Sequence, residues 1–371
     1  MLSTPATKDI SRVMLDDTAN ILSNSESGKA YDLDKIYSEK IVHHIFSLWD
    51  TVPYHQNHDL GKGFNIFLKD AGHVLGSCMY EITFNGKKIV FTGDLGNSPS
   101  PLLRDTEYIE SADYMVMESV YGNRNHEERE ERRENLKKII LENNKKNSTL
   151  VVPIFSLERT QEFLYEINEM VESGEVPSVP VFVDSPLAIK VTDVFYRHKE
   201  DFKDSAKKDI ASGDDIFKFK GLKETEKTRD SKAILSARNP KIILAGSGMS
   251  AGGRVVHHEK NYLGDPNATV LITGFQTPGT PGRLLLDGAK EIMIFDEVVK
   301  VKAEIKIIKG YSGHKDSNGL FDFVSHVKGI KKIFIAMGEP SVSMFFAQRL
   351  KDNLDLNAVV PEKNQEVELD F

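Results

Sequence analysis

The sequence predicts an α/β protein in two parts, one built on antiparallel strands and the other on a doubly wound parallel sheet. Three observations predict it. Residues 65–92 hold apolar runs of strand length joined by Asn85-Gly86, the preferred two-residue hairpin turn. From Ser148 onward, strand-length apolar runs alternate with segments of helical period, the pattern of β-α-β units. A length of 371 residues with 40% hydrophobic content makes two cores more natural than one.

In the first part, Ile10, Val13, Met14 and Ile21 recur at helical spacing after Thr7, which is placed to cap a helix. Strands are expected at 65–68, 78–84 and 88–92. His73 then follows one strand and Asp94 another, at the carboxyl ends of neighbouring strands, where a hydrolytic metal site can be assembled. A further strand at 114–117 ends on Glu118. Residues 123–147 are highly charged with a helical middle, and this shift in composition puts a domain boundary near 121.

In the second part, strands are expected at 150–155, 179–184 and 242–245, with helices reaching to about 171 and 198. Ligands of such sheets gather outside the carboxyl ends of the strands. There the chain carries two glycine-rich runs, Ser247-Gly248-Met249-Ser250-Ala251-Gly252-Gly253-Arg254 and residues 277–283, both suited to close approach by phosphate. Residues 199–236 are rich in Lys, Asp and Glu and read as a solvated excursion. Strands at 301–308 and 332–336 follow, with helices near Leu320 and Met344. Between them, Ser312-Gly313-His314-Lys315-Asp316 sets a histidine on a loop after a strand with a carboxylate two residues on, a placement suited to proton transfer.

Composition removes several classes. A net charge of −8 argues against indiscriminate nucleic-acid binding, while leaving room for a local basic groove or a metal-centred phosphate site. No apolar run reaches membrane-spanning length, and the first twenty residues lack a basic stretch followed by an apolar one, so a cytoplasmic location without a membrane partner is expected. Cys78, the single cysteine, rules out an intrachain disulfide and a cysteine-based zinc site.

Seven short motifs occur in order: Ala71-Gly72-His73-Val74-Leu75-Gly76-Ser77, Thr92-Gly93-Asp94, Glu118-Ser119-Val120-Tyr121-Gly122, Pro153-Ile154-Phe155-Ser156-Leu157-Glu158-Arg159-Thr160-Gln161, Asp184-Ser185-Pro186-Leu187, the Ser247 to Arg254 run, and Ser312 to Asp316. With these motifs the chain resembles a β-CASP nuclease of the metallo-β-lactamase superfamily over nearly its whole length. The likeness is greatest to bacterial and archaeal relatives of the messenger-RNA 3′-end cleavage nuclease. The resemblance implies a metallo-β-lactamase αββα sandwich, N-terminally incomplete, interrupted by a β-CASP parallel-sheet α/β insert. Residues 1–120 and 310–371 would form the sandwich and 121–309 the insert. It also implies single-stranded RNA as substrate, in a cleft between the two, and a site for two Zn²⁺ ions. Carried over, His73 binds one zinc and Asp94 bridges both. Glu118 orients a histidine, and His314 is the general acid near the leaving oxygen. Ser247, Gly248, Gly252, Gly253, Arg254 and His257 would contact phosphate or substrate.

The sequence departs from that pattern in two places. No His-x-His-x-Asp-His run stands ahead of the first helix, and Met337 occupies a position where RNA-cleaving relatives place a histidine. A thioether is a weak ligand for zinc. A chain with its front segment lost, weak zinc binding and impaired cleavage is therefore expected, as a homodimer or paired with a separate N-terminal chain. His55 and His58 imitate the absent run at the wrong spacing, His43 and His44 read as helix residues, and His126 as a solvated one. One alternative is a non-catalytic β-CASP paralogue that binds RNA or a partner nuclease. Another, a nucleotide-binding α/β protein, explains the glycine-rich loops but neither Gly72-His73 nor Thr92-Gly93-Asp94.

Overall fold

The hairpin that opens the first sheet forms as its turn chemistry requires. Asn85 and Gly86 have φ of 48° and 77°, both in the left-handed region that a two-residue turn needs, and they fold Cys78–Phe84 onto Lys87–Phe91. The computed structural model describes residues 1–24, 36–126 and 131–370. These fall into two compact units, residues 1–125 with 313–371, and residues 126–312. The composition shift had placed the first division near 121, and the resemblance had placed the two at 120/121 and 309/310. Residues 127–130 of the charged segment lie outside the described residues.

The first unit is built on a seven-stranded mixed sheet. In spatial order its strands are Ala358–Val359, Lys332–Ala336, Tyr114–Glu118, Lys87–Phe91, Cys78–Phe84, Phe64–Asp70 and His58–Gly61. Alternation along the strands sends Met79, Val90, Met115, Met117, Ile333 and Ile335 to one face. There they pack on Leu320 and Phe323 of helix Ser317–Ser325 and on Phe346 and Leu350 of helix Pro340–Leu354. Ile66 and Leu68 point to the opposite face and meet Leu2, Val52 and Tyr54. The second layer of the expected sandwich consists here of a two-stranded parallel sheet, Leu2–Ser3 with Asp50–Thr51, and helices Pro5–Asn24 and Glu39–Ser47.

The first helix is capped earlier than its sequence pattern suggested. Thr4 rather than Thr7 is the cap, because Pro5 is preorganised for the first helical position and Thr4 Oγ1 accepts from the Thr7 N–H at 3.2 Å. Both threonine hydroxyls donate to the Gly76 carbonyl, at 2.6 and 2.7 Å, which ties the helix start to the loop that carries His73. Gly76 has φ of 82°, and a Cβ there would stand 2.5 Å from the Thr7 nitrogen, so only glycine fits.

The second unit holds a six-stranded, all-parallel sheet in the order Leu222–Glu224, Val181–Asp184, Lys241–Ala245, Thr149–Pro153, Thr269–Ile272, Glu304–Ile307. Its central strands are buried throughout, as strands covered on both faces must be. Helices Arg159–Glu172, Pro186–Arg197 and Val255–Tyr262 alternate with them.

Residues 199–236 correct the reading of a solvated excursion. The segment supplies the edge strand Leu222–Glu224 and buries Phe202, Ala206, Ile216, Phe217 and Ile234. Its apolar content is sparse but includes Phe202, Phe217 and Phe219, and each ring buries a large apolar area. Phe217 packs edge-on against Phe195, Tyr196 and Phe202 at centroid distances of 6.3, 5.1 and 6.2 Å. Phe217→Ala is expected to destabilise the protein by about 3–5 kcal/mol in denaturant unfolding. Exposed Lys218→Ala should change it by less than about 0.5 kcal/mol. Equal small effects would return the segment to the surface.

Candidate functional site

In the first unit, three segments at the carboxyl ends of strands converge with the loop that carries His314. The first follows Phe64–Asp70 and is closed by Ser77 Oγ, which accepts from the N–H groups of His73 and Val74 at 3.0 and 3.2 Å. Gly72 has φ of 63°, and a Cβ on it would lie 2.6 Å from the Thr106 nitrogen, so the residue before His73 has no room for a side chain. The second loop follows Lys87–Phe91 and presents Asp94. The strands leading to His73 and Asp94 are not neighbours, contrary to the sequence reading. Cys78–Phe84 runs antiparallel between them, and a hairpin necessarily sends every second strand back to the same edge.

His314 arrives from far along the chain and is fixed by backbone pairing. The Asn97 N–H donates to the Gly313 carbonyl and the Lys315 N–H to the Leu95 carbonyl, both at 2.8 Å, so Gly96 and His314 form an antiparallel bridge. This places the His73 and His314 rings 4.6 Å apart. His73 Nδ1 lies 3.0 Å from the Gly313 carbonyl, and its Nε2 is 3.8 Å from Asp94 Oδ2.

Glu118, wholly buried at its strand end, sits 3.2 Å from His314 Nδ1 and accepts from the Leu95 N–H. Burial pushes its carboxyl above the ordinary range, against the opposing pull of His314 and Leu95. A histidine held at Nδ1 by a carboxylate presents Nε2 in a fixed direction.

His73, Asp94 and His314 each offer one ligand atom, all within 4.8 Å of one another. The sequence reading had put only His73 and Asp94 in the metal set. The donors suit zinc, with two imidazoles and a carboxylate, and the buried Asp94 Oδ1 has no hydrogen-bond partner, as befits an atom reserved for a cation. Three donors fit one ion; they do not make up a set for two. Met337 stands at φ 64° just past Lys332–Ala336, 60% exposed, beyond the strand that pairs with that of Glu118. His55 is engaged by Glu107 at 2.8 Å and His43 by Arg12 at 2.7 Å, both at the surface.

In the second unit the Ser247 to Arg254 run closes on itself. The Ser247 N–H donates to the Gly252 carbonyl at 3.1 Å and the Ala251 N–H to Ser247 Oγ at 3.2 Å. Gly253 has φ of 71°, and a Cβ there would fall 2.4 Å from the Gly246 carbonyl oxygen. Gly248 packs under the ring of Phe155. Arg254 was expected to contact phosphate, yet its guanidinium donates to Asp184 Oδ1 at 2.7 Å and to the carbonyls of Thr225 and Glu226 at 2.6 Å. The His257 ring lies 4.7 Å from that of Phe295.

Asp184, to which the sequence reading gave no role, is the hub of this region. Its buried carboxylate receives Thr225 and Ser231 hydroxyls, Arg254, and His258 Nε2 at 2.7 Å. Burial pushes the carboxyl up, but those four donors together pull it down to about 2. Its position at a strand end just before a helix-initiating Ser-Pro was the available signal. Glu259 was missed as well: wholly buried, it accepts from Ser250 Oγ and supports the loop from below.

Burial raises the Glu259 carboxyl to about 7 from an ordinary 4.5. Because the folded state holds this proton more tightly than the unfolded one, the contribution to stability is complete below about pH 4.5 and is lost as pH rises through about 7. The loss amounts to about 3 kcal/mol. Glu259→Gln should therefore gain stability relative to the parent between pH 5 and 8. A stability difference independent of pH, in urea unfolding, would contradict this.

Known proteins resemble the chain in sequence and fold. Residues 160–285 match the Beta-Casp domain, and residues 298–361 match the Zn-dependent metallo-hydrolase RNA specificity domain. A ribonuclease of Thermus thermophilus is 31% identical over 299 residues, covering 81% of this chain and 66% of that protein. An RNase J-like protein of Methanocaldococcus jannaschii is 29% identical, over 89% and 77% of the two chains. A transcription termination factor of Pyrococcus horikoshii is 26% identical over 99% of this chain and 57% of its own length. The chain thus spans a little over half to about three quarters of the length of these relatives. The crystal structure of a protein of unknown function from Enterococcus faecalis V583 shares the fold, with a TM-score of 0.56 at 12% identity, over 99% of this chain and 75% of that one. From its two domain matches and its ribonuclease relatives, the chain belongs to the β-CASP family of the metallo-β-lactamase superfamily.

Proposed function

We propose that the protein is a zinc-dependent ribonuclease that hydrolyses phosphodiester bonds of single-stranded RNA during RNA processing in the cytoplasm, with unit 126–312 as the β-CASP insert. The observation that carries this reading is the convergence of His73, Asp94 and His314 with Glu118 behind His314 Nδ1. His73 and Asp94 would hold the metal, which when bound supplies positive charge and an acidified water. The residues of the chain account for the proton. In hydrolysis, a P–O bond forms to water, the bond to the leaving oxygen breaks, and that oxygen needs a proton. His314, with Nδ1 held by Glu118, is placed to deliver it from Nε2, and Glu118 stabilises the charged imidazole beforehand. The glycine-rich loop with Ser247, Gly248, Gly252 and Gly253 offers close backbone approach to phosphate, while Arg254 and Asp184 brace it.

A second reading rests on the donor count. Three donors among the described residues and an exposed Met337 describe a weaker site than a two-ion centre, which favours an RNA-binding member with little or no cleavage. Incubating the 371-residue chain and zinc with 5′-labelled single-stranded RNA separates the two. Cleavage that falls by at least about 100-fold in His314→Ala, and is lost with zinc binding in Asp94→Asn, supports the nuclease. Tight binding without cleavage selects the second reading, and neither binding nor cleavage sinks both.

A further inference from the structure

The loops that carry His73 and Asp94 touch backbone to backbone. Ala71 stands two residues before His73 and Gly96 two residues after Asp94, and the Gly96 N–H donates to the Ala71 carbonyl at 2.8 Å. The approach is so close that a Cβ on Gly96 would collide with the Gly72 carbonyl and come 2.7 Å from the His73 nitrogen. Gly96 is also the residue bridged to His314. All three members of the candidate metal set thus depend on where Gly96 lies.

A further segment, residues 98–106, closes on this junction. It is folded on itself: the Leu102 and Leu103 N–H groups donate to Ser100 Oγ at 3.3 and 3.1 Å, the Ser100 N–H donates to Asp105 Oδ1 at 3.1 Å, and both leucines are buried. The segment ends at buried Thr106, whose N–H donates to Ser98 Oγ at 3.1 Å. Thr106 Oγ1 lies 3.0 Å from the Ala71 carbonyl oxygen and 3.0 Å from that of Gly96. A hydroxyl has one hydrogen to donate, so the two carbonyls share it. At the next residue the Glu107 N–H donates to the Asp70 carbonyl at 3.0 Å, and Glu107 Oε2 accepts from the Asp70 N–H at 2.9 Å. The strand end before His73 is therefore tied to this segment at a second point.

We propose that Thr106 is a positioning residue that sets the separation of His73 and Asp94 for the metal. Its hydroxyl is a single atom bonded to the chain two residues from each of them, and it acts through the carbonyls of Ala71 and Gly96. Ligand atoms must be held to within about 0.2 Å of their distances, and the outer partners that hold them are worth about 10–100-fold in metal affinity. Valine has the shape of threonine but sets a methyl group against two carbonyls that have lost their donor, which drives the loops apart. Serine keeps the donor. The proposal rests on the metal-dependent reading above and adds to it the residue that spaces the ligands.

The test measures the zinc affinity of the 371-residue chain by competition with a chromophoric chelator, and the absorption bands of the cobalt-loaded chain as a report of ligand geometry. Thr106→Val should weaken zinc binding by at least about tenfold and alter the cobalt bands at saturation, while Thr106→Ser stays within about twofold of the parent. Thr106→Ala, which removes the hydroxyl without setting a methyl group against the carbonyls, should show the same loss and carries the test if the valine variant does not fold. Thr149→Val removes a buried hydroxyl of the second unit, bonded to Asn239 Oδ1 at 2.9 Å, and should leave both readouts at parent values. Parent-like zinc affinity in Thr106→Val and Thr106→Ala, or an equal loss in Thr149→Val, would overturn the positioning role while the metal reading stands. A parent chain that binds no zinc would remove both.

Discussion

A carboxylate with no exposed surface must be supplied with donors, and the first unit is organised around that requirement at Glu118. Its donors come from two separate loops, the Leu95 N–H and the His314 ring. Those loops are in turn paired to each other through Gly96 and His314. His73 joins through the Gly313 carbonyl. A single buried carboxylate thus fixes the orientation of one imidazole directly and the spacing of the other through the loop they share. Asp94 closes the group, with one oxygen facing His73 and the other left without a partner.

Asp184 repeats the principle in the second unit with the opposite electrostatic result. Four donors surround its carboxylate and hold it ionised, and they come from two stretches of chain, Thr225 and Ser231 from one and Arg254 and His258 from the other. Glu259, next to His258, has one hydroxyl donor, and there burial prevails. The two buried carboxyls are therefore shifted in opposite directions, according to the number of donors each receives. The glycine-rich loop is tied to both, to Asp184 through Arg254 and to Glu259 through Ser250.

Much of this was legible in the sequence. Strands Cys78–Phe84 and Lys332–Ala336, the Asn85-Gly86 turn and the alternation after Ser148 all rest on local patterning, and local patterning survives into the fold. His73, Asp94, Glu118 and His314 could be read as one group because each lies in a motif that resembles the β-CASP family. Less legible was anything set by long-range burial. The aromatic anchors of residues 199–236 were hidden among charges, Arg254 looked available because its partners at 184, 225 and 226 come from other elements, and the threonine that caps the first helix was mistaken for its neighbour. Side-chain partnership across such distances has no signature in spacing.

The pairing of residues 95–97 with 313–315 has a further meaning for how the chain assembles. Tyr121 is bridged to Asp316, and the Ser317 N–H donates to the Arg124 carbonyl, so the chain leaves the first unit and re-enters it at almost the same point. Once residues 126–312 have folded by themselves, the entropy of closing that long excursion is already spent, and His314 is returned to Glu118 as though across a short loop. The inserted unit can then vary in its loops and surface with little disturbance to the corner of His73, Asp94 and His314, provided its two ends stay together. During synthesis the order is reversed in consequence: His73, Asp94 and Glu118 are made early, yet the group they belong to is incomplete until the chain has passed residue 314.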